Sequence, residues 1–220
     1  MKINNINRRE GKISLKSRVY FSPCGYLIHI TLKALAFFGR KCVVYGYRDK
    51  DGKYLRTCRI ASTAKISDKR NLTIGDNVWI NHYVRIDTTG CVEIGEGCQI
   101  GYGACILSHS SHIAIRLCGK EYMRLNPEER AGYLFGRVKI GAYTFVGGGC
   151  YIMPGVTIGK GCVIGVNSVV TKDVPDFSIV AGSPAKIIGS TLEIDKKYTN
   201  IAKKDTYYDK EVYKLLNINT

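Results

Sequence analysis

Between residues 140 and 186 an aliphatic side chain returns every six positions, at Ile140, Val146, Ile152, Ile158, Ile164 and Val170. Helices repeat near 3.6 residues and strands near 2, so neither accounts for a strict period of six. A six-residue period with Gly after the aliphatic position is the mark of a parallel β-helix built from hexapeptides. The same phase runs upstream through Ile94, Ile100 and Ile106, through Ile74, Ile80 and Ile86, and through Ile60 and Ile66, giving fourteen anchors in all. Those runs are separated by steps of eight, which places two extra residues at a corner each time. Three hexads make one triangular coil, so the expected class is all-β, a stacked parallel β-helix.

Two offsets from the anchor test that reading. The residue after it is Gly at 75, 95, 101, 141, 147, 159 and 165, and Asn or Asp at 81 and 87. These residues tolerate positive φ, which a tight corner is expected to need there. The residue four after it is mostly small, as at Val78, Val84, Cys98, Ala104, Thr144, Cys150, Val156, Cys162 and Ser168, and should point inward beside the anchor.

The register breaks once. Ile106 and Ile140 are 34 residues apart, which is no multiple of six, so residues 107–137 are expected to leave the prism as a loop. Long loops in otherwise regular repeats are usually functional. This one opens with Ser108-His109-Ser110-Ser111-His112, holding two of the four histidines. A base placed there would stand on a rigid coil beside a cleft, and imidazole can accept and return a proton near neutral pH. The plain alternative is that these histidines only anchor the loop.

The prism divides the chain into a basic N-terminal segment (1–57), the β-helix domain (58–189) and a C-terminal tail (190–220). Within the first, Ser22, Pro23 and Gly39 bracket a short helix whose Leu27, Ile28, Leu32, Leu35 and Phe38 form an apolar face. His29 and Lys33 interrupt it, which argues against a secretory signal or a membrane span. It is expected to pack on the prism, with an anionic membrane surface as the sharper alternative. A second short helix is expected in the tail, near 205–217. The formal charge of +15 implies an anionic partner. The nine cysteines include no C-x-x-C pair. Together with an odd count, this reads as structural thiols in a reducing, cytoplasmic setting.

The hexads, the looped-out histidine segment and the closing GVNSVVTKDVPDFSIVAGSPAKII resemble the left-handed β-helix acyltransferases, above all the galactoside and maltose O-acetyltransferases and those of surface polysaccharide synthesis. The resemblance covers roughly residues 58–189, and its specific part is the pairing of TKDVP with AGSPAK. It implies a homotrimer with active sites between subunits, acetyl-CoA as co-substrate in the groove between prisms, and no metal. By position it implies a substrate-binding role for Asn81, whose alternative is a corner residue with positive φ. It implies that Gly148 and Val166 meet the pantetheine arm, and that Thr171, Lys172 and Lys186 meet the distal part of the cofactor. The galactoside and maltose enzymes place the catalytic histidine five residues after the anchor, where this chain has Ser111. Some polysaccharide relatives place it three after, which selects His109 and leaves His112 in reserve. His109 would deprotonate an acceptor that attacks the thioester, with backbone N–H groups near Gly148 holding the oxyanion. Asp87 and Glu121 are the candidates to orient the imidazole.

The acceptor implied is a sugar or lipid-linked precursor of a surface glycan, O-acetylated at the inner membrane face. N-acetylation of an amino-sugar nucleotide is the alternative. A γ-class carbonic anhydrase would need three zinc-binding histidines, for which His82, His109 and His112 are wrongly spaced. A non-enzymatic β-helix binding module is the alternative of another class. No nucleic-acid motif is present, and neither G-x-G-x-x-G nor a P-loop precedes the prism.

Overall fold

The computed structural model describes residues 41–199, together with positions 25, 27, 28, 30–32, 34 and 39 before them and 212, 214 and 216 after them. The expected N-terminal helix and tail helix, with His29 and Lys33, lie largely outside the described residues. Among those described, no helix is long and apolar enough to cross a membrane.

Each hexad contributes one short strand, and successive strands go to three different sheets. Sheet A stacks Arg59–Ile60, Trp79–Ile80, Gln99–Ile100, Phe145–Val146, Val163–Ile164 and Ile179–Val180 in parallel register. Sheet B stacks Lys65–Ile66, Arg85–Ile86, Cys105–Ile106, Tyr151–Ile152 and Val169–Val170. Sheet C stacks Leu72–Ile74, Val92–Ile94, Val138–Ile140 and Thr157–Ile158, then a bridge to Val174. The chain is thus a three-sided parallel β-helix with anchors stacked on anchors. Ile80, Ile106, Ile152 and Ile164 are fully buried, and so are the small residues four beyond the anchors, such as Val78, Cys98, Ala104, Cys150 and Ser168. All eight described cysteines are unpaired.

One expectation is overturned. The residues directly after the anchors are not the ones with positive φ. That conformation falls two positions later, at Asn77, Tyr83, Gly97, Gly103, Tyr143, Gly149, Gly161 and Asn167. At these corners the chain therefore turns at the third residue after the anchor, and Asn81 is no positive-φ corner residue. Glycine after the anchor answers to a different demand. A Cβ on Gly95 would lie 2.5 Å from the Ala142 nitrogen of the next coil, and one on Gly101 2.5 Å from the Gly148 nitrogen. Strands only about 4.8 Å apart leave no room for a side chain there.

Two additions had no hexad signal. Strands β1 (Val43–Arg48) and β2 (Tyr54–Ala61) form an antiparallel hairpin, and the end of β2 serves as the first strand of sheet A. The hairpin therefore straddles the expected boundary at residue 58. At the opposite end Ala185–Ser190 folds back antiparallel on Ser178–Gly182. The excursion at 107–137 holds a short helix, Ala114–Cys118, and two single-turn 3-10 segments. Its neck is closed by antiparallel pairing of His109 with Phe135 and of Ser110 with Leu134.

Candidate active site

The neck of this excursion fixes His109. Residues 105–106 belong to sheet B and are buried or nearly so, so the chain leaves the prism from a rigid strand. Three residues later the His109 Nδ1 lies 2.6 Å from Asp87 Oδ2. Asp87 follows anchor Ile86 one coil below, at the place where most other hexads carry Gly. The Ser108 N–H donates to the same carboxylate oxygen at 2.9 Å, and the Thr89 hydroxyl donates to the other at 2.6 Å. The Asp87 side chain is 14% exposed and that of His109 34%. Burial alone would push the Asp87 carboxyl up, but the donors from Thr89, Ser108 and His109 together outweigh it and bring it down to about 2. An ionised carboxylate only accepts, so His109 donates through Nδ1–H, and in the neutral ring Nε2 keeps its lone pair. The imidazole also lies parallel to the Tyr133 ring, with centroids 5.6 Å apart and planes 4° apart. Tyr133 comes from the returning arm of the loop and packs in turn on Phe135.

The other candidates are placed differently. His112 is exposed and its Nδ1 lies 2.7 Å from the Ser110 hydroxyl, with no carboxylate partner among the described residues. Glu121 pairs with Arg124 on the loop and does not reach the imidazole, whereas Asp87 does. Asn81, Gly148 and Val166 follow sheet A strands and line the edge where the chain turns into sheet B. The Asn81 side-chain oxygen accepts from the His82 N–H at 2.7 Å. Thr171 and Lys172 lie on the other edge of sheet B, the edge of Asp87 and His109, two coils toward the C-terminal end. Lys186 pairs with Ala181 on the closing strand, beside the first edge. Within one chain the candidate residues therefore occupy two edges of the prism. His82, bonded to Thr63 on the first edge, is likewise separated from His109. Among the described residues no group of three or more His, Cys, Asp or Glu could hold a metal ion.

Beside the Asp87–His109 pair lies a cavity of about 860 Å³, roofed by the β1–β2 hairpin and floored by the first three coils. Its lining includes Tyr47, Arg48, Lys65, Lys69 and Arg85, and it ends at Asp87, Leu107 and His109. Neither this cavity nor Tyr133 had a sequence signal. Thr89 could have been found, since it stands two residues after Asp87.

Residues 137–172, within the three-sided prism, match the family model described as bacterial transferase hexapeptide (six repeats). More particularly, the chain is 36% identical to the Saccharomyces cerevisiae "Putative acetyltransferase YJL218W" over 60% of this chain and 63% of that one. It is 33% identical to the Escherichia coli "Putative lipopolysaccharide biosynthesis O-acetyl transferase WbbJ" over 58% of this chain and 61% of that one. The chain thus spans less than two thirds of either relative. Among solved structures it is similar to a galactoside acetyltransferase in complex with coenzyme A (30% identity, TM-score 0.51, 60% of this chain and 62% of that one). It is also similar to a hexapeptide-repeat acetyltransferase of Vibrio cholerae complexed with acetyl-coenzyme A (28% identity, TM-score 0.51, 58% of this chain and 64% of that one). The resemblance to hexapeptide-repeat acyltransferases read from the sequence holds, and it implies a left-handed coil.

Proposed function

We propose that the protein is an acetyl-CoA-dependent acetyltransferase that O-acetylates a sugar or a precursor of a surface glycan. The observation that carries this reading is the Asp87–His109 pair, 2.6 Å apart, at the neck of the loop. Asp87 holds the imidazole with Nε2 as the proton acceptor. His109 takes the proton of the acceptor hydroxyl, whose oxygen forms the new bond to the thioester carbonyl. The C–S bond then breaks, and the proton passes from His109 to the leaving sulfur. The similarity to structures holding coenzyme A and acetyl-coenzyme A supports the donor.

The placement of the candidates supports a homotrimer. Gly148, Val166 and Asn81 lie on one edge of sheet B, and His109, Thr171 and Lys172 on the other. A donor touching both sets would lie between the first edge of one subunit and the second edge of its neighbour. Sheet C presents polar residues outward, Thr73, Glu93, Lys139 and Thr157, which suits the solvent side of such an assembly. Lys172 and Lys186 then serve as point charges for the phosphates of the donor.

The test is thiol release from acetyl-CoA with a panel of sugars and amino sugars, comparing wild type, His109→Ala and His112→Ala. We expect His109→Ala to lower kcat by about 100-fold or more, the usual contribution of a positioned base, and His112→Ala to stay near wild type. Loss confined to His112→Ala would overturn the choice of base. Failure of the full-length protein to bind acetyl-CoA would overturn the acetyltransferase reading itself.

A further inference from the structure

We propose that the basic cavity beneath the β1–β2 hairpin is the acceptor site and that it takes a phosphorylated acceptor, a sugar carried on a diphosphate. This deepens the acetyltransferase reading and rests on it for the word acceptor, but the anion site stands on its own observations.

The first is position. The cavity ends at Asp87 and His109 and extends from there toward the N-terminal coils. The candidate donor residues Thr171 and Lys172 lie on the same edge toward the C-terminal end. The histidine therefore has a donor side and a separate, enclosed side. The volume of about 860 Å³ falls within the usual range for small-molecule sites.

The second is charge. Arg48, Lys65, Lys69 and Arg85 all line the cavity, and Asp87 is the only carboxylate among its described lining residues. Asp87 is already occupied by Ser108, Thr89 and His109. Elsewhere Arg70, Arg124, Arg137 and Lys139 have carboxylate partners, but among the described residues none of the four cavity cations has one. Lys65 and Arg85 are register partners on adjacent coils of sheet B, and Arg85 is in turn paired with Cys105, four residues before His109. Lys65, Arg85 and His109 line the same cavity, so an anion held by the two cations leaves its sugar on the side of the imidazole.

The third is an unsatisfied hydroxyl. Tyr47 lines the cavity, is 6% exposed, and its buried Oη has no hydrogen-bond partner among the described residues. Buried polar groups are nearly always paired, so an orphan one at a cavity wall calls for an explanation. A modest shift of the Tyr47 ring toward a bound phosphate would give the hydroxyl its missing acceptor. The hairpin is shaped for this. Its register slips between Tyr45 and Tyr47, and Gly46 at the bulge has φ +82°, so Gly46 and Tyr47 are buried in succession. Bulges re-aim side chains in this way beside functional sites. The apolar stretch of Ile60, Ala64, Ile66 and Ile86 leaves room for a nucleoside or the first carbons of a lipid.

The experiment is titration calorimetry on the full-length protein with inorganic pyrophosphate, UDP and geranyl diphosphate, with galactose as the uncharged control. We expect pyrophosphate to bind and galactose not to. Lys65→Ala/Arg85→Ala should weaken pyrophosphate at least tenfold while leaving acetyl-CoA affinity unchanged. Tyr47→Phe should weaken it several-fold without lowering the melting temperature, because the lost hydroxyl has no partner among the described residues of the free protein. His109→Ala should bind pyrophosphate as wild type does, so this arm reads the anion site even where turnover is absent. Tighter binding of UDP than of pyrophosphate would assign a nucleotide carrier, and tighter binding of geranyl diphosphate a lipid carrier. Absence of pyrophosphate binding, unchanged affinity in the double variant, or displacement of pyrophosphate by coenzyme A would each overturn the proposal.

Discussion

Asp87→Asn puts the central contact to a quantitative test. The carboxylate is brought from an ordinary 3.8 down to about 2, which corresponds to about 2 kcal/mol of native-state stabilisation at neutral pH. Because the folded value lies below the unfolded one, this contribution is complete above about pH 5 and is lost as pH falls through about 2. By the same linkage about half of it remains at pH 3. Asparagine matches the shape but not the acceptor count. One carboxylate oxygen accepts from the N–H and hydroxyl of Thr89, the other from the Ser108 N–H and His109 Nδ1. Whichever way the amide is turned, its NH2 faces a backbone N–H that cannot rotate away. Leaving such donors unpaired costs a further amount on the order of 1–3 kcal/mol.

The expected result in chemical denaturation is therefore a deficit of at least about 2 kcal/mol for Asp87→Asn at pH 7, shrinking by about 1 kcal/mol at pH 3. In the thiol-release assay kcat should fall by about 100-fold, since an imidazole no longer held through Nδ1 loses its orientation as base. KM for acetyl-CoA should change little, because Asp87 binds the histidine and not the donor. An Asp87→Asn protein as stable as wild type, or a deficit identical at pH 7 and pH 3, would refute the account of the carboxylate. Normal kcat with the expected instability would confine Asp87 to a structural role.

Two further variants probe the prism. Gly101→Ala adds a Cβ 2.5 Å from the Gly148 nitrogen of the next coil, so the coils must part; we expect a loss of about 1–3 kcal/mol by denaturation, whereas a glycine with neither a positive φ nor a close neighbour would tolerate the change. Ile152→Ala empties a fully buried anchor between Ile106 and Val170 and should cost about 2–5 kcal/mol in the same measurement, with acetyl transfer at low temperature retained.

The prism was legible because a hexad ties every sixth residue to the same inward direction, so anchors and their small neighbours recur whatever the surface carries. The same strictness made Asp87 conspicuous. Among the residues that follow the sheet B anchors, Ser67, Asp87, Leu107, Met153 and Thr171, it is the one carboxylate. The reason for the glycines after the anchors was misjudged, since the sequence shows which residue is small but not whether a turn or a neighbouring coil requires it. Tyr83, Tyr143 and Phe177 carry positive φ despite their bulk, so residue type was a poor guide to the turning position. The hairpin was hidden for another reason. Val43–Arg48 and Tyr54–Ala61 pair antiparallel with a bulge, and they contribute only one anchor to the six-residue phase. Tyr133 reaches His109 from the far arm of a loop without periodicity, where pairing of residues 109 and 135 alone sets the approach.

A transferase that joins two phosphorylated substrates faces an electrostatic difficulty that the fold resolves. On the proposed reading both donor and acceptor bring several negative charges, and their reacting ends must approach to near contact at His109. If both charged ends shared one groove, their repulsion would oppose assembly of the complex. The prism instead separates them along one edge of sheet B. Thr171 and Lys172 lie on the C-terminal side of the histidine, and Lys65 and Arg85 on its N-terminal side, with the uncharged reacting groups between them. The anionic ends then point away from each other, each offset by its own cations. The cations at these two sites supply only part of the formal charge of +15, and the absence, among the described residues, of carboxylate partners for the cavity cations is the condition that lets their charge be met by a ligand.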